Sequence, residues 1–222
     1  MPSDAAILLD IDGTLVDSTY HHAMAWFRAF SQHDVVIPIY RLHRAIGMGG
    51  DKLVAHVAGD EVEERLGDAL RDGWRTVYEQ WVDDVPALPG AVDLVRRLAE
   101  DGYQVALASP KDPEFSQRTM DRLGINDSVA LLTTSEDAEE SKPEPDLLGT
   151  TLEKLGGPRA VLVGDTPYDV ESAHKAGLAC LTVLTGGFGR DELEGAGAAA
   201  VVADVGALDG TDWERHLRSP DV

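Results

Sequence analysis

The chain has 222 residues and a formal net charge of −21, from 40 acidic against 19 basic side chains. A field of that sign repels nucleic acid and anionic membrane surfaces, and no run approaches the ~18 apolar residues of a membrane span. The single cysteine, Cys180, allows no disulfide within the chain, and the N-terminus lacks a secretory signal pattern, so the expectation is a cytoplasmic protein with no nucleic-acid or membrane partner.

Ala5-Ala6-Ile7-Leu8-Leu9 is apolar throughout, the pattern of a strand buried on both faces. It runs into Asp10-Ile11-Asp12-Gly13-Thr14. Two carboxylates at the end of a buried strand are costly without a cation or donors beside them, although Asp and Gly are also common in surface turns. Tyr20–Ser31 reads as a helix with Thr19 as its N-cap; Ala23, Trp26, Phe27 and Phe30 recur at helical spacing and read as core. Pro38 suits the first position of a helix over Ile39–Ile46. Gly47-Met48-Gly49-Gly50 breaks that helix, and Asp51 is expected to cap Lys52–Val57. Glu61–Val82 carries Val62, Leu66, Leu70, Trp74, Val77 and Trp81 along one face. No strand is needed from residue 18 to residue 84, an insertion of about 65 residues where connections are normally short.

The Pro/Gly-rich stretch Asp84–Gly90 looks like a return linker, and the pattern then changes. Helices are expected over Ala91–Asp101, Pro113–Leu123, Asp146–Leu155 and Val170–Ala176, the last closed by Gly177. Strands are expected over Tyr103–Ala108, Val129–Thr133, Ala160–Val163, Leu178–Leu184 and Ala199–Ala203. Alternating strands and helices imply parallel βαβ units. The expected fold is α/β, a Rossmann-like doubly wound parallel sheet core over residues 1–16 and 87–222, with an inserted all-helical cap over 17–86. The two tethers of the cap, near Val16–Thr19 and Val85–Pro89, could hinge it.

Polar signals follow several of the apolar strands: Asp10 and Asp12, then Ser109, then Lys142 in the loop past the third, then Asp165 and Asp169. In an open parallel sheet all strand carboxyl ends share one edge, so these residues can converge. Together they offer carboxylates for a hard cation, a hydroxyl and a lysine. Mg²⁺ favours a few carboxylates plus phosphate oxygens, and such an inventory suits phosphoryl transfer. Glu136, Asp137, Glu139 and Glu140 read as a solvated loop, and Cys180 as a small buried hydrophobe. His21 and His22 are too few for a metal site, and His22 is a candidate substrate contact.

The ordered set Asp10-Ile11-Asp12-Gly13-Thr14, Ser109, Ser141-Lys142-Pro143 and Gly164-Asp165-Thr166-Pro167-Tyr168-Asp169 resembles the haloacid dehalogenase-like hydrolase superfamily. The helical insertion resembles the cap of its phosphoglycolate phosphatase-like subfamily. The resemblance implies a Mg²⁺-dependent phosphatase acting on a small phosphorylated metabolite through an aspartyl-phosphate. Asp10 would be the nucleophile and Asp12 the general acid and base. Asp10, the backbone carbonyl of Asp12 and Asp165 would hold Mg²⁺, with Asp169 orienting a metal-bound water or Lys142. Ser109 and Lys142 would bind phosphoryl oxygens. One departure stands out: the residue after Ser109, which usually offers its N–H to phosphate, is Pro110, which has none, so Lys111 is expected to substitute. Lys52, Arg41 and Arg44 are candidate cap contacts with substrate. A phosphomutase acting on a sugar phosphate, a phosphonoacetaldehyde hydrolase using Lys52, and a non-catalytic phosphate-binding module are the alternatives. Nothing in the sequence fixes an oligomeric state.

Overall fold

The computed structural model describes residues 4–138 and 140–219. Glu139 of the acidic loop, and residues 1–3 and 220–222 at the outer ends of the expected core, lie outside the described residues. Strands β1 (Ala5–Leu9), β2 (Gln104–Ala108), β3 (Leu131–Thr133), β4 (Arg159–Gly164), β5 (Ala179–Val183) and β6 (Ala200–Val202) form a parallel sheet in the order β3-β2-β1-β4-β5-β6. The chain reverses direction of travel across the sheet at β1 and β4, the kind of switch point where ligands bind in open α/β sheets. Leu9 lies opposite both Leu107 and Val163. That register brings Asp10, Ser109 and Asp165 to one edge.

Side chains alternate across the strands. Ile7, Leu9, Val105, Leu107, Val161 and Val163 face a core closed by α5 (Ala91–Glu100) and by Trp213 and Leu217. Ala6, Leu8, Ala106, Leu162 and Cys180 face the other core, with α7 (Asp146–Lys154) and α8 (Pro167–Lys175). Both faces of β1 are therefore covered, as its unbroken apolar run requires.

Between β1 and α5 lie the helices α1 (Thr19–Gln32), α2 (Ile39–Ala45), α3 (Gly50–Ala58) and α4 (Asp60–Tyr78). They pack on their own cluster, which includes Trp26, Phe30, Leu42, Leu53 and Leu70. Phe27 departs from the expected core stripe and is 37% exposed. The two tethers run side by side: Val16 bridges Ala87, the Asp17 N–H donates to the Pro86 carbonyl and the Leu88 N–H to the Leu15 carbonyl.

Several local expectations change. Thr19 is the first residue of α1 and Ser18 its N-cap. Asp51 sits inside the first turn of α3, which begins at Gly50, and its carboxylate accepts from Ser141 Oγ at 2.5 Å. α4 ends at Tyr78, four residues before the expected end. α8 starts earlier than expected, because Thr166 caps it just ahead of Pro167 and Asp169, in its first turn, completes a capping box. The remaining helices are α6 (Pro113–Leu123) and α9 (Arg190–Ala196), the second of them unanticipated. Among the described residues no helix is long and apolar enough to cross a membrane.

Candidate active site

The ends of β1 and β4, with the loop carrying Lys142, assemble a buried charge cluster. Asp10 is 5% exposed and Lys142 1%. Lys142 Nζ donates to Asp10 Oδ1 at 2.5 Å and lies 2.6 Å from Asp169 Oδ1. Asp169 is fixed from its other side, where Oδ2 accepts from the Thr166 hydroxyl at 2.7 Å and from the backbone N–H groups of Thr166 and Asp165. The capping box of α8 thus aims Asp169 at the lysine. Asp165 Oδ1 accepts from Thr14 Oγ1 at 3.2 Å, while its Oδ2 is buried without a hydrogen-bond partner.

Asp10 and Asp169 share the ammonium of Lys142, and Asp165 stands near enough to feel all three charges. Burial, together with the neighbouring Asp169 and Asp12, outweighs Lys142 and pushes the Asp10 carboxyl up to about 7. Burial, then Asp169 and Asp10, push Asp165 well above the usual carboxylate range. Burial opposes the charge on Lys142, but Asp10 and Asp169 outweigh it and hold the ammonium charged.

The surplus negative charge and the unpartnered Asp165 oxygen fit a divalent cation. A Cβ at Gly13 or at Gly186 would collide with Asp165 Oδ2, so both glycines keep space open beside that oxygen, and Gly13 also adopts φ +79°. Among the described residues no three His, Cys, Asp or Glu side chains stand as a ready-made metal cage. Mg²⁺ does not need one, since it takes one or two carboxylates and completes its shell with waters and other oxygens. Asp10 and Asp165 can supply the carboxylates. Asp169 is held by Thr166 and Lys142 and orients the lysine.

Asp12 has a different neighbourhood. Its Oδ1 accepts from Ser18 Oγ at 2.6 Å and Lys111 Nζ at 3.0 Å, and His22 Nε2 lies 3.0 Å away. Burial disfavours its charge, but Lys111, His22 and Ser18 outweigh that and hold the carboxyl well below the usual range. These three contacts all fall on Oδ1; the metal contact that the resemblance implies for Asp12 is its backbone carbonyl. Lys111 Nζ also donates to Tyr78 Oη at 3.1 Å, and the His22 ring stacks on Tyr78 with centroids 4.1 Å apart. Burial pushes the His22 imidazole down, which favours the neutral ring.

A cavity of about 430 Å³ opens between this cluster and the helical cap. Asp10, Asp12, Ser109 and Lys111 line its core end, and Met48, Gly50, Trp26 and Trp74 its cap end. Ser109 Oγ is buried and unpartnered, a donor facing the same end as Asp10. Lys142 and Asp165 sit behind Asp10 and do not line the cavity. Lys52 Nζ pairs with Glu140 at 2.8 Å, Arg41 donates to the Val57 carbonyl, Arg44 pairs with Glu192, and His21 Nδ1 contacts the Asp17 carbonyl. None of these four lines the cavity. Sequence reasoning passed over Thr14, Ser18 and Tyr78. The first two were within reach as hydroxyls beside the Asp pair, whereas Tyr78 meets Lys111 only through folding.

A family model described as haloacid dehalogenase-like hydrolase matches residues 5–177. The chain is 26% identical over 209 residues to a phosphoglycolate phosphatase of Rhodobacter capsulatus, covering 92% of this chain and 95% of that one. It is 26% identical over 187 residues to a validoxylamine A 7'-phosphate phosphatase of Streptomyces hygroscopicus subsp. limoneus, covering 80% and 84%. The crystal structure of a hydrolase from Pseudomonas syringae superposes with a TM-score of 0.86 at 27% identity, over 93% of this chain and 99% of that chain.

Proposed function

The chain belongs to the haloacid dehalogenase-like hydrolase family and is a phosphoric monoester hydrolase, and we propose that it cleaves the ester of a small metabolite through a phosphoryl group carried on Asp10. The observation that carries this reading is Asp10 itself, lining the cavity while Lys142 holds one of its oxygens at 2.5 Å. The helical cap and the phosphoglycolate phosphatase relatives support a place in that subfamily.

Asp10 attacks phosphorus, and the bond to the ester oxygen breaks. Asp12 gives that oxygen a proton, then takes one from the water that attacks phosphorus and frees Asp10. With Lys111, His22 and Ser18 on it, Asp12 stands in the form that accepts a proton. Its acid role calls for a substrate-bound arrangement in which the phosphoryl anion competes for Lys111. The Ser109 hydroxyl donates to a phosphoryl oxygen, and Lys142 offsets the approach of an anion to carboxylates. Pro110 offers no N–H, which leaves Lys111 next in line as a phosphoryl contact. Asp10, Asp165 and the Asp12 carbonyl would hold Mg²⁺, which supplies the positive charge that keeps Asp10 ionised and neutralises the phosphoryl group.

The test is release of p-nitrophenol from p-nitrophenyl phosphate. Turnover is expected with Mg²⁺, is lost with EDTA, and falls by at least about a thousandfold in Asp10→Asn. Full activity in Asp10→Asn would contradict the role given to that residue.

A further inference from the structure

Resting on the hydrolase reading above, we propose that the substrate is the phosphate ester of an uncharged, hydroxyl-bearing alcohol of sugar size, and that the cap excludes esters whose far end is a carboxylate or a second phosphate. An anionic far end needs a cation at the cap end of the cavity. Among the described residues lining that end, the cations are Arg71 and Arg75 of α4. Each is already taken by two carboxylates. Arg71 pairs with Glu63 and with Asp68, both at 2.9 Å, and donates to the Gly50 carbonyl at 3.1 Å. Arg75 pairs with Asp112 and with Glu114, the latter at 2.7 Å. Each guanidinium is therefore outnumbered by the carboxylates that hold it, and Asp72 adds another carboxylate to the same wall. At the core end Lys111 stands beside Asp12 where the transferred phosphoryl group belongs, so a second anionic group would have to face this carboxylate-rich wall.

The cap end is otherwise mostly apolar, built from Trp26, Trp74, Met48 and Ile46. Besides the cap residues His22 and Asp51, which also line it, this end presents a donor: Trp74 Nε1 is buried without a hydrogen-bond partner. A buried N–H in that state is costly unless something accepts from it. A hydroxyl oxygen of the substrate satisfies it without bringing charge into a negative wall. The volume of about 430 Å³ also lies in the range of sites that enclose a whole small molecule, more than a two-carbon acid fills.

The experiment measures wild-type kcat/KM with Mg²⁺ for p-nitrophenyl phosphate, methyl phosphate, glucose 6-phosphate, phosphoglycolate and fructose 1,6-bisphosphate. Binding of the last three to Asp10→Asn is followed in parallel by tryptophan fluorescence. The sugar monophosphate is expected to exceed both doubly anionic esters by at least about tenfold in kcat/KM and to bind more tightly. Trp74→Phe, which keeps a ring and removes the N–H, is expected to narrow the preference for glucose 6-phosphate over methyl phosphate, chiefly through KM. Faster turnover and tighter binding of phosphoglycolate or the bisphosphate overturn this proposal while leaving the hydrolase reading intact. Failure to turn over any ester, p-nitrophenyl phosphate included, overturns both.

Discussion

Asp10 and Asp12 stand two positions apart in the sequence and in opposite electrostatic states. Asp10 shares Lys142 with Asp169 and is pushed up to about 7 by burial and its acidic neighbours. Asp12 is held low by Lys111, His22 and Ser18. Pairs of carboxyls pushed apart in this way are where acid, base and nucleophile roles separate. A raised folded-state value means that the folded chain binds a proton that the unfolded chain has released. In the metal-free protein, the stability associated with Asp10 is therefore present at low pH and is lost as pH rises from about 4 toward about 7, and that associated with Asp165, raised in the same direction, is also lost with rising pH. Asp12, shifted the other way, holds its contribution throughout that window and loses it only in stronger acid. With EDTA present, the melting temperature is expected to fall between about pH 4 and about pH 7, less steeply with Mg²⁺ and less steeply in Asp10→Asn. A melting temperature that rises across that range in EDTA would contradict this picture of the cluster.

At the scale of elements, the cap is tied to the core at identifiable points. Asp112 is the N-cap of α6, accepting from the Glu114 N–H at 2.9 Å, and also pairs with Arg75 of α4. Asp112→Ala is expected to cost about 1 kcal/mol, mostly from the lost cap because the ion pair is partly exposed. That corresponds to a fall of about 2–4 °C in melting temperature, readable by calorimetry; an unchanged value would deny the cap its role. The elements that could be read from sequence were those with a pattern of their own. β1, β2 and β4 are short runs buried on both faces, and α5 carries Leu94, Val95 and Leu98 on one stripe. α9 buries only Leu193 and so leaves no periodic signal. Asp51 reads locally as a helix cap because its actual partner, Ser141, lies 90 positions away. The site divides the same way. Asp10, Asp12, Ser109, Lys142 and Asp165 were legible as polar residues following strands or in the loops beyond them. The pairing of Arg71 and Arg75, and the contact of Tyr78 with Lys111, depend on how α4 packs and have no local signature.

Over the whole molecule, a net charge of −21 surrounds a site that takes an anion. The cluster of Lys142 with three carboxylates adds to that field, so capture of a phosphate ester works against the surface and depends on local cations. Raising ionic strength from about 0.01 M to about 0.15 M at fixed free Mg²⁺ is expected to increase kcat/KM severalfold as the repulsion is screened. A decrease would mean that attraction to Lys111 and its surroundings already dominates the approach. The sheet order brings both carboxylate groups to the β1/β4 switch point, and the cap closes the cavity above them. The central claim is that phosphorus is carried on Asp10, and the most direct measurement is peptide mass spectrometry after acid quench. Wild type and Asp12→Asn would be quenched during turnover of a phosphate ester with Mg²⁺. A phosphoryl group on the peptide containing Asp10, accumulating in Asp12→Asn because hydrolysis of the intermediate is slowed, is the predicted result. Phosphate release with no phosphorylated Asp10 in either protein, or with the phosphoryl group on another residue such as Ser109, would contradict it.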